Sequence, residues 1–253
     1  MPAAPRDASV VIPARFCGPT DSSNGGYACG LIAEAFPPEA AVEVTLRAPP
    51  PLDRPLDLQV DPALGNARLM DGEVLVAEAR PADPPDVGER PMPPPSFAEA
   101  QAATAAFPVP PGQHPYPRCF VCGPDRDPGD GLRLHPGPVA GRRLVAAPFV
   151  PPRELEDPTT PGRLPRRFVW ATLDCPSWYG WLAFAVEAPP ILLGRLWGVV
   201  APEAPRSGER CVVVGWGIER DGRKIRCGSA LFGEDGTVYG QALATWIVLK
   251  PSR

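Results

Sequence analysis

The acid of the stretch "LDCPSWYGW", Asp174, is the strongest candidate for a catalytic side chain in this sequence. We predict that Asp174 starts a helix with Pro176 in its first turn. A carboxylate there could act as general base for a water molecule or as nucleophile. The alternative is that Asp174 only caps the helix. Beside the same helix start, Cys175 is expected to have a lowered thiol pKa. No histidine base lies nearby in the motif, so a cysteine mechanism is not favoured.

A second candidate is the stretch Asn24–Gly25–Gly26, which opens a predicted apolar helix. Unpaired backbone N–H groups and the helix dipole at such a position can polarise a carbonyl and stabilise a developing oxyanion. Glycine has no Cβ, so Gly25 and Gly26 would let a substrate approach the backbone closely. The alternative is that Asn24 caps the helix and the glycines permit tight packing against a strand.

A third candidate is a possible metal site in residues 114–135, where Cys119 and Cys122 lie between the chain's two histidines, His114 and His135. Tetrahedral zinc would accept that ligand set. The second paired spacing of a standard zinc finger is missing, and so is the βαβ context of a redox pair. We therefore expect no metal, and cysteines that pack a turn leading into the second half of the chain. A zinc-stabilised interaction protein stays as an alternative.

The elements that would position these residues follow the same order twice. In the first half, a strand within residues 8–16 precedes the helix at Asn24 and four strands that reach residue 80. In the second half, "RRLVAAPFV" and "RRFVWATLD" are predicted strands, followed by the helix at Asp174 and four more strands. The predicted division is an N-terminal unit at 1–80, a proline-rich linker with a short helix at 81–118, and a C-terminal unit at 119–253.

This order predicts an α+β architecture of two long antiparallel sheets, each wrapped around a central helix. Two such units side by side could pair into one continuous sheet and so remove exposed strand edges. Tight turns are predicted at three Asp-Gly pairs, which begin at Asp71, Asp221 and Asp235.

The sequence resembles the hotdog-fold acyl-CoA thioesterases, in the double-hotdog arrangement of the thioesterase II-like group. The resemblance rests on four stretches: "NGGYACGLIAEAF", "VTLRAPPPLDRPLDLQV", "LDCPSWYGW" and "GRKIRCGSALFGEDGTVYGQALATWIVL". The stretch "CFVCGPDRDPGDGLRL" also looks like the C-F-x-C-G stretch common in small single-hotdog thioesterases.

The resemblance implies a site in which an Asp, a Thr or Ser, and a Gln hold and activate water. Asp174 matches the acid, Ser177 the hydroxyl and Gln241 the amide, with Thr172 and Thr245 as alternative hydroxyls. It further implies an acyl-CoA thioester as substrate, with coenzyme A present only as part of that substrate and no cofactor required. A homodimer of double hotdogs is the assembly considered.

Some features depart from the family pattern. The first helix has no acid in its first turn, Glu34 lies too far along it, and Asp21 is expected to belong to the preceding turn. We therefore expect one half alone to supply the acid. Both histidines lie outside the predicted central helices, which argues against the dehydratases of this fold.

Coenzyme A phosphates could be bound by Arg195, Arg223 and Lys224, since the planar guanidinium of arginine recognises phosphate. The alternative is that these residues are exposed charges on strand ends and turns.

Composition narrows the function classes. The 253 residues carry a net charge of -4 and no long basic run, so a nucleic-acid partner is not expected. No apolar run is long enough for a membrane span or a signal peptide. Seven scattered cysteines indicate reduced thiols and a cytoplasmic location.

Two functions from different classes follow. The first is an acyl-CoA thioesterase that uses Asp-activated water at a helix N-terminus. The second is a non-catalytic double hotdog that binds acyl-CoA or another ligand. A pocket between Asp174 and residues 24–26 would support the enzyme, whereas a closed, dry interface would favour the binding or structural alternative.

Overall fold

The structure is a computed structural model that describes residues 7–85, 93–159 and 161–250. The predicted linker at 81–118 therefore lies partly outside the described residues. The strands are β1 Ala8–Val11, β2 Val42–Leu46, β3 Pro55–Asp61, β4 Asn66–Asp71, β5 Val74–Pro81, β6 Gly137–Pro138, β7 Val145–Phe149, β8 Ile191–Val200, β9 Cys211–Asp221, β10 Lys224–Gly233 and β11 Val238–Val248. The α-helices are α1 Gly25–Ala33, α2 Phe97–Ala103 and α3 Arg166–Leu182.

The strands form one antiparallel sheet of eleven, in the order β1-β3-β4-β5-β2-β8-β11-β10-β9-β7-β6. The two predicted sheets join into one continuous sheet, a pairing already considered from the sequence, because β2 pairs with β8 from Val42 opposite Gly198 to Thr45 opposite Arg195. In this pairing, β2 covers the edge of β8 and β8 covers the edge of β2, so neither half leaves that edge unpaired.

The two halves share one topology. The first half runs β1-β3-β4-β5-β2 towards the middle of the sheet, and the second runs β7-β9-β10-β11-β8 towards the same place. Each strand of the first half therefore has a counterpart six strands later, and β6 is the one addition. This arrangement agrees with the repeated order of elements read from the sequence.

The N-terminal part of α3 corrects the sequence prediction. The stretch "RRFVWATLD" was predicted to be a strand, but it forms the first half of α3, which follows Pro165. Asp174 therefore lies in the middle of the helix and is not its N-cap, and Pro176 is inside the helix. Residues 168–180 are all buried. A helix covered on every side has no polar face, so its sequence lacks the amphipathic pattern that indicates a helix.

The helices α1 and α3 pack directly against each other over the sheet. A Cβ on Gly30 would lie 2.7 Å from the Cα of Arg167 and 2.7 Å from the Cβ of Trp170. At the far end of the contact, the Arg167 guanidinium binds both carboxylate oxygens of Glu34 at 3.0 Å. Glu34 is therefore committed to this ion pair, which agrees with its expected distance from the site.

The predicted tight turns are confirmed. In each Asp-Gly pair the glycine has a positive φ, 58° at Gly72, 54° at Gly222 and 88° at Gly236. Glycine adopts such angles without steric cost.

The short helix expected in the linker is α2. It begins with a capping box of Ser96 and Glu99 and packs on β7. None of the helices in the described ranges is both long and apolar enough to cross a membrane.

Candidate active site

Asp174 connects the middle of α3 to the N-terminus of α1. Its Oδ2 accepts a hydrogen bond of 2.8 Å from the Asn24 side-chain amide and another of 2.8 Å from the Gly26 backbone N–H. The residue is 2% exposed. Asp174 and residues 24–26 are thus brought together as the sequence suggested, but by direct contact and not across a pocket.

The Asp174 carboxyl group is suited to exchange a proton near neutral pH. Its pKa is raised to about 7, mainly by burial and also by the nearby Cys119, while the hydrogen bonds from Gly26 and Asn24 offset part of the rise. The second oxygen, Oδ1, is buried and has no hydrogen-bond partner among the described residues. One carboxylate oxygen is therefore fixed in place, and the other keeps its lone pairs free.

Asn24 fulfils the capping role and a second role at once. Its Oδ1 accepts from the Tyr27 backbone N–H at 2.9 Å, while its Nδ2 donates to Asp174. Both the oxygen and the nitrogen of the amide are hydrogen-bonded, so the side chain fixes the position of α1 relative to α3. This second contact joins residues 150 positions apart, and no local pattern in the sequence could have indicated it.

The two glycines at the start of α1 allow close approach of protein groups. A Cβ on Gly26 would lie 2.5 Å from the Asp174 Cβ, and one on Gly25 would lie 2.8 Å from the Leu193 Cδ2. Gly26 must be glycine for α3 to come this near. The Gly25 N–H is the first-turn donor to which the structure assigns no acceptor among the described residues.

The hydroxyls near Asp174 are engaged with backbone carbonyls. Ser177 Oγ donates to the Asp174 backbone carbonyl at 2.7 Å and accepts from Trp246 Nε1 at 2.9 Å. Thr172 Oγ1 donates to the Val169 carbonyl at 2.7 Å. Neither hydroxyl bonds to the Asp174 carboxylate.

Gln241 and Thr245 lie on the other face of the sheet. Gly240 faces α3, since a Cβ there would meet Val169 at 3.1 Å. Successive residues of a strand point to opposite faces, so Gln241 and Thr245 point away from α3. The structure therefore does not bring the suggested amide, or this alternative hydroxyl, to Asp174.

The candidate phosphate-binding residues are also distant from the helices. Arg195 lies on the outer face of the sheet, where it pairs with Glu43 at 3.3 Å. Arg223 is in the β9–β10 turn, and its Nε donates to the Val248 carbonyl at 2.8 Å. Lys224 is exposed at the start of β10. Their binding of coenzyme A stays a prediction.

Three cysteines form a cluster, of which the sequence pattern had grouped only Cys119 and Cys122. The sulphurs of Cys119, Cys122 and Cys175 all lie within 4.8 Å of one another, and all three residues are buried. The neighbouring thiols and burial raise the pKa of Cys175 well above its usual range. The expected lowering of that pKa is therefore wrong, because Cys175 is in the interior of α3 and not at its start.

The histidines are not part of the cluster. His114 Nε2 is 2.9 Å from the Tyr179 hydroxyl, and the His135 ring packs on Phe107. The set of two histidines and two cysteines suggested by spacing is therefore not assembled among the described residues.

Comparison with known proteins gives the fold. No protein-family model matches the chain, and neither does any curated protein sequence. A hot dog fold protein from Alicyclobacillus acidocaldarius has a TM-score of 0.62 at 14% identity, over 98% of this chain and 94% of the other.

Of two further solved structures, one is described as an acyl-CoA thioesterase II and the other as a tesB protein. The acyl-CoA thioesterase II TesB2 from Mycobacterium marinum matches with a TM-score of 0.59 at 10% identity, over 98% of this chain and 94% of its own. The tesB protein from Mycobacterium avium subs paratuberculosis matches with a TM-score of 0.62 at 11% identity, over 97% of this chain and 94% of its own. Identities this low establish the fold alone, so the chain has an α+β hotdog fold that it shares with thioesterase II structures.

Proposed function

We propose that the protein hydrolyses an acyl-CoA thioester with Asp174 as general base. The observation that carries this proposal is the buried carboxylate at the start of α1, with one oxygen fixed by Asn24 and Gly26 and the other unpaired. Its pKa near 7 is in the range that suits a general base at physiological pH.

The contact between α1 and α3 must open to admit water and the thioester to Asp174, and the chemistry then requires only groups at this position. Asp174 Oδ1 removes a proton from water, and the resulting hydroxide attacks the thioester carbonyl. The free N–H of Gly25 stabilises the oxyanion of the tetrahedral intermediate, together with the helix dipole. The intermediate expels the coenzyme A thiolate, which recovers the proton from Asp174. Neither a histidine nor an external cofactor takes part.

The substrate class is supported by the fold shared with the acyl-CoA thioesterase II structure. Coenzyme A enters as part of the substrate, and its phosphates would be bound by Arg223 and Lys224, which adjoin each other in an exposed turn. Arg195 is the weaker phosphate ligand of the three, because it lies on the face of the sheet opposite α3.

The test is release of thiol from a broad panel of acyl-CoA esters. We expect Asp174→Asn to lower turnover by about 10²-fold or more, since a positioned base contributes that much. Turnover of the unchanged protein should rise with pH through about 7, as Asp174 loses its proton. The matched control is Asp235→Asn, an acid in the exposed β10–β11 turn. Release of no thiol from any ester, or full activity of Asp174→Asn, would refute the proposal.

A second candidate is a non-catalytic protein that binds acyl-CoA or another ligand. It is favoured by the 2% exposure of Asp174 and by its direct bonds to α1, which close the interface between the two helices. Calorimetric titration with a non-hydrolysable acyl-CoA thioether separates the two functions. Binding without turnover in the unchanged protein supports the binding module, whereas turnover that is lost in Asp174→Asn with binding retained supports the enzyme.

A further inference from the structure

Three buried thiols converge from two distant parts of the chain. Cys119 and Cys122 belong to the turn before β6, and Cys175 belongs to α3. The sulphurs of Cys119 and Cys175 are 3.9 Å apart, and all three sulphurs fit within 4.8 Å. A Zn–S bond of about 2.3 Å places tetrahedral sulphur ligands about 3.8 Å apart. The distance between the Cys119 and Cys175 sulphurs matches this spacing, and no pair of the three sulphurs exceeds it by more than about 1 Å.

The turn at Cys119 is tightly packed on itself. The Gly123 N–H donates to the Cys119 carbonyl at 2.8 Å, and a Cβ on Gly123 would lie 2.6 Å from the Cys119 nitrogen. The Cys119 sulphur is in contact with the thiols of Cys122 and Cys175 and with the backbone N–H groups of Cys122 and Val121. Hydrogen bonds to a ligating group are the usual support of a metal site.

The loop is held rigidly by a buried arginine. Arg126 is 4% exposed, and its guanidinium donates to the carbonyls of Arg118 at 2.7 Å and Arg15 at 2.6 Å. It also pairs with Asp130 at 2.8 Å. The sulphur positions are thus fixed by hydrogen bonds outside the cluster, so the loop does not depend on a metal to reach this shape.

The cluster adjoins the candidate active site. Asn24 Nδ2 lies 4.0 Å from the Cys119 sulphur and 3.8 Å from the Cys175 sulphur, while it donates to Asp174. Three thiols and an acid with an unpaired oxygen are therefore gathered in one buried region. A divalent cation would supply the positive charge that such a group of anionic ligands requires.

We propose that Cys119, Cys122 and Cys175 bind a Zn²⁺ ion as thiolates, with the fourth position taken by a non-protein ligand such as water. Thiolates select zinc over magnesium or calcium, which prefer oxygen ligands. Binding releases the three thiol protons to solvent and changes no oxidation state. The ion joins the loop to α3 beside the start of α1, where the candidate base lies.

The test measures metal on the full-length protein, with no dependence on activity. Protein purified under reducing conditions with zinc should retain about one Zn²⁺ per chain in elemental analysis after exhaustive dialysis. Exchange for Co²⁺ should give the sulphur-to-cobalt charge-transfer absorption and the intense visible bands of a tetrahedral site. Cys175→Ala should lower zinc occupancy by about tenfold or more and abolish that absorption. The control Cys227→Ala removes a buried cysteine outside the cluster and should retain both properties.

Two results would overturn the proposal. One is zinc far below one per chain together with no charge-transfer absorption in reduced, unchanged protein. The other is a Cys119–Cys175 disulfide in native protein prepared with zinc present, seen as a mass lower by two hydrogens. Should Cys175→Ala fail to fold, the cobalt spectrum of the unchanged protein decides the question. These experiments measure bound metal or protein mass and not activity. A negative result would therefore overturn the zinc site without bearing on thioester hydrolysis.

Discussion

At the scale of single residues, the buried environment of Asp174 lowers the stability of the folded chain but gives the carboxyl group a pKa that suits proton transfer. The folded chain holds an acid in a place where its charged form is poorly solvated, and two hydrogen bonds offset only part of that cost. An acid kept for structure alone would serve better as an amide, which carries no charge. A carboxyl group whose pKa is strongly raised by burial beside specific partners is typical of functional sites.

The first prediction concerns the pH dependence of stability. The pKa of Asp174 is raised from 3.8 in the unfolded chain to about 7 in the folded one. Between these values the folded state keeps the proton and the unfolded state loses it, so stability falls as pH rises. The slope is about 1.4 kcal/mol per pH unit. Above about pH 7 both states are ionised and the loss is complete.

Asp174→Asn removes this titration. From pH 5 to pH 8, the free energy of unfolding of the variant should improve by about 3 kcal/mol relative to the unchanged protein. The comparison by urea unfolding cancels the effects of all other titrating groups, and it cancels any pH-independent cost of the new amide. An equal difference between the two proteins at both pH values would show that the pKa of Asp174 is not raised.

How much of this site the sequence predicts depends on how far apart along the chain the contacting residues are. Asp174 could be selected because it lies in a local motif, and Asn24 because it caps a helix. That Asn24 bonds to Asp174, and that Cys175 joins Cys119, depends on how α1, α3 and the loop pack. Such contacts between distant segments leave no spacing pattern in a single sequence.

At the scale of elements, strands and turns were predictable because their signals are local. Alternating residues and Asp-Gly turns identified β8 to β11, and Gly72, Gly222 and Gly236 adopt the positive φ that those turns need. The first half of α3 was misread because Phe168 and Trp170 lie among other apolar residues, which suggested a buried strand. Length would have been the better signal, since apolar runs beyond strand length favour a helix.

The next prediction tests the contact between α1 and α3. A glycine-to-alanine change within a helix ordinarily stabilises it by about 1 kcal/mol. Gly30→Ala should instead destabilise the protein by about 1–3 kcal/mol, because the added methyl group would overlap the Arg167 backbone and the Trp170 side chain. Urea unfolding measures the change. A gain in stability would mean that the two helices are farther apart than the structure has them.

At the scale of the whole molecule, the two halves depend on one another. The β2–β8 pairing makes one sheet from two, and Gly26 of α1 packs on α3 of the other half. The candidate site combines Asn24 from the first half with Asp174 from the second. A duplicated unit with one acid therefore still needs both halves, because the second half supplies the acid and the first half supplies the helix end that binds it.

The last prediction separates the halves as fragments 1–92 and 93–253. Alone, the first fragment would expose the edge of β2 and the face of α1 that now covers Asp174, and the second would leave that buried carboxylate without its two donors. An unpaired buried charge costs several kcal/mol, which is comparable to the whole stability of a domain of this size. We expect neither fragment to unfold cooperatively by itself and their mixture to regain a single transition, followed by circular dichroism. A sharp transition in the first fragment alone would show that it is an independent domain, and that the acid–helix contact is an interface between two finished folds.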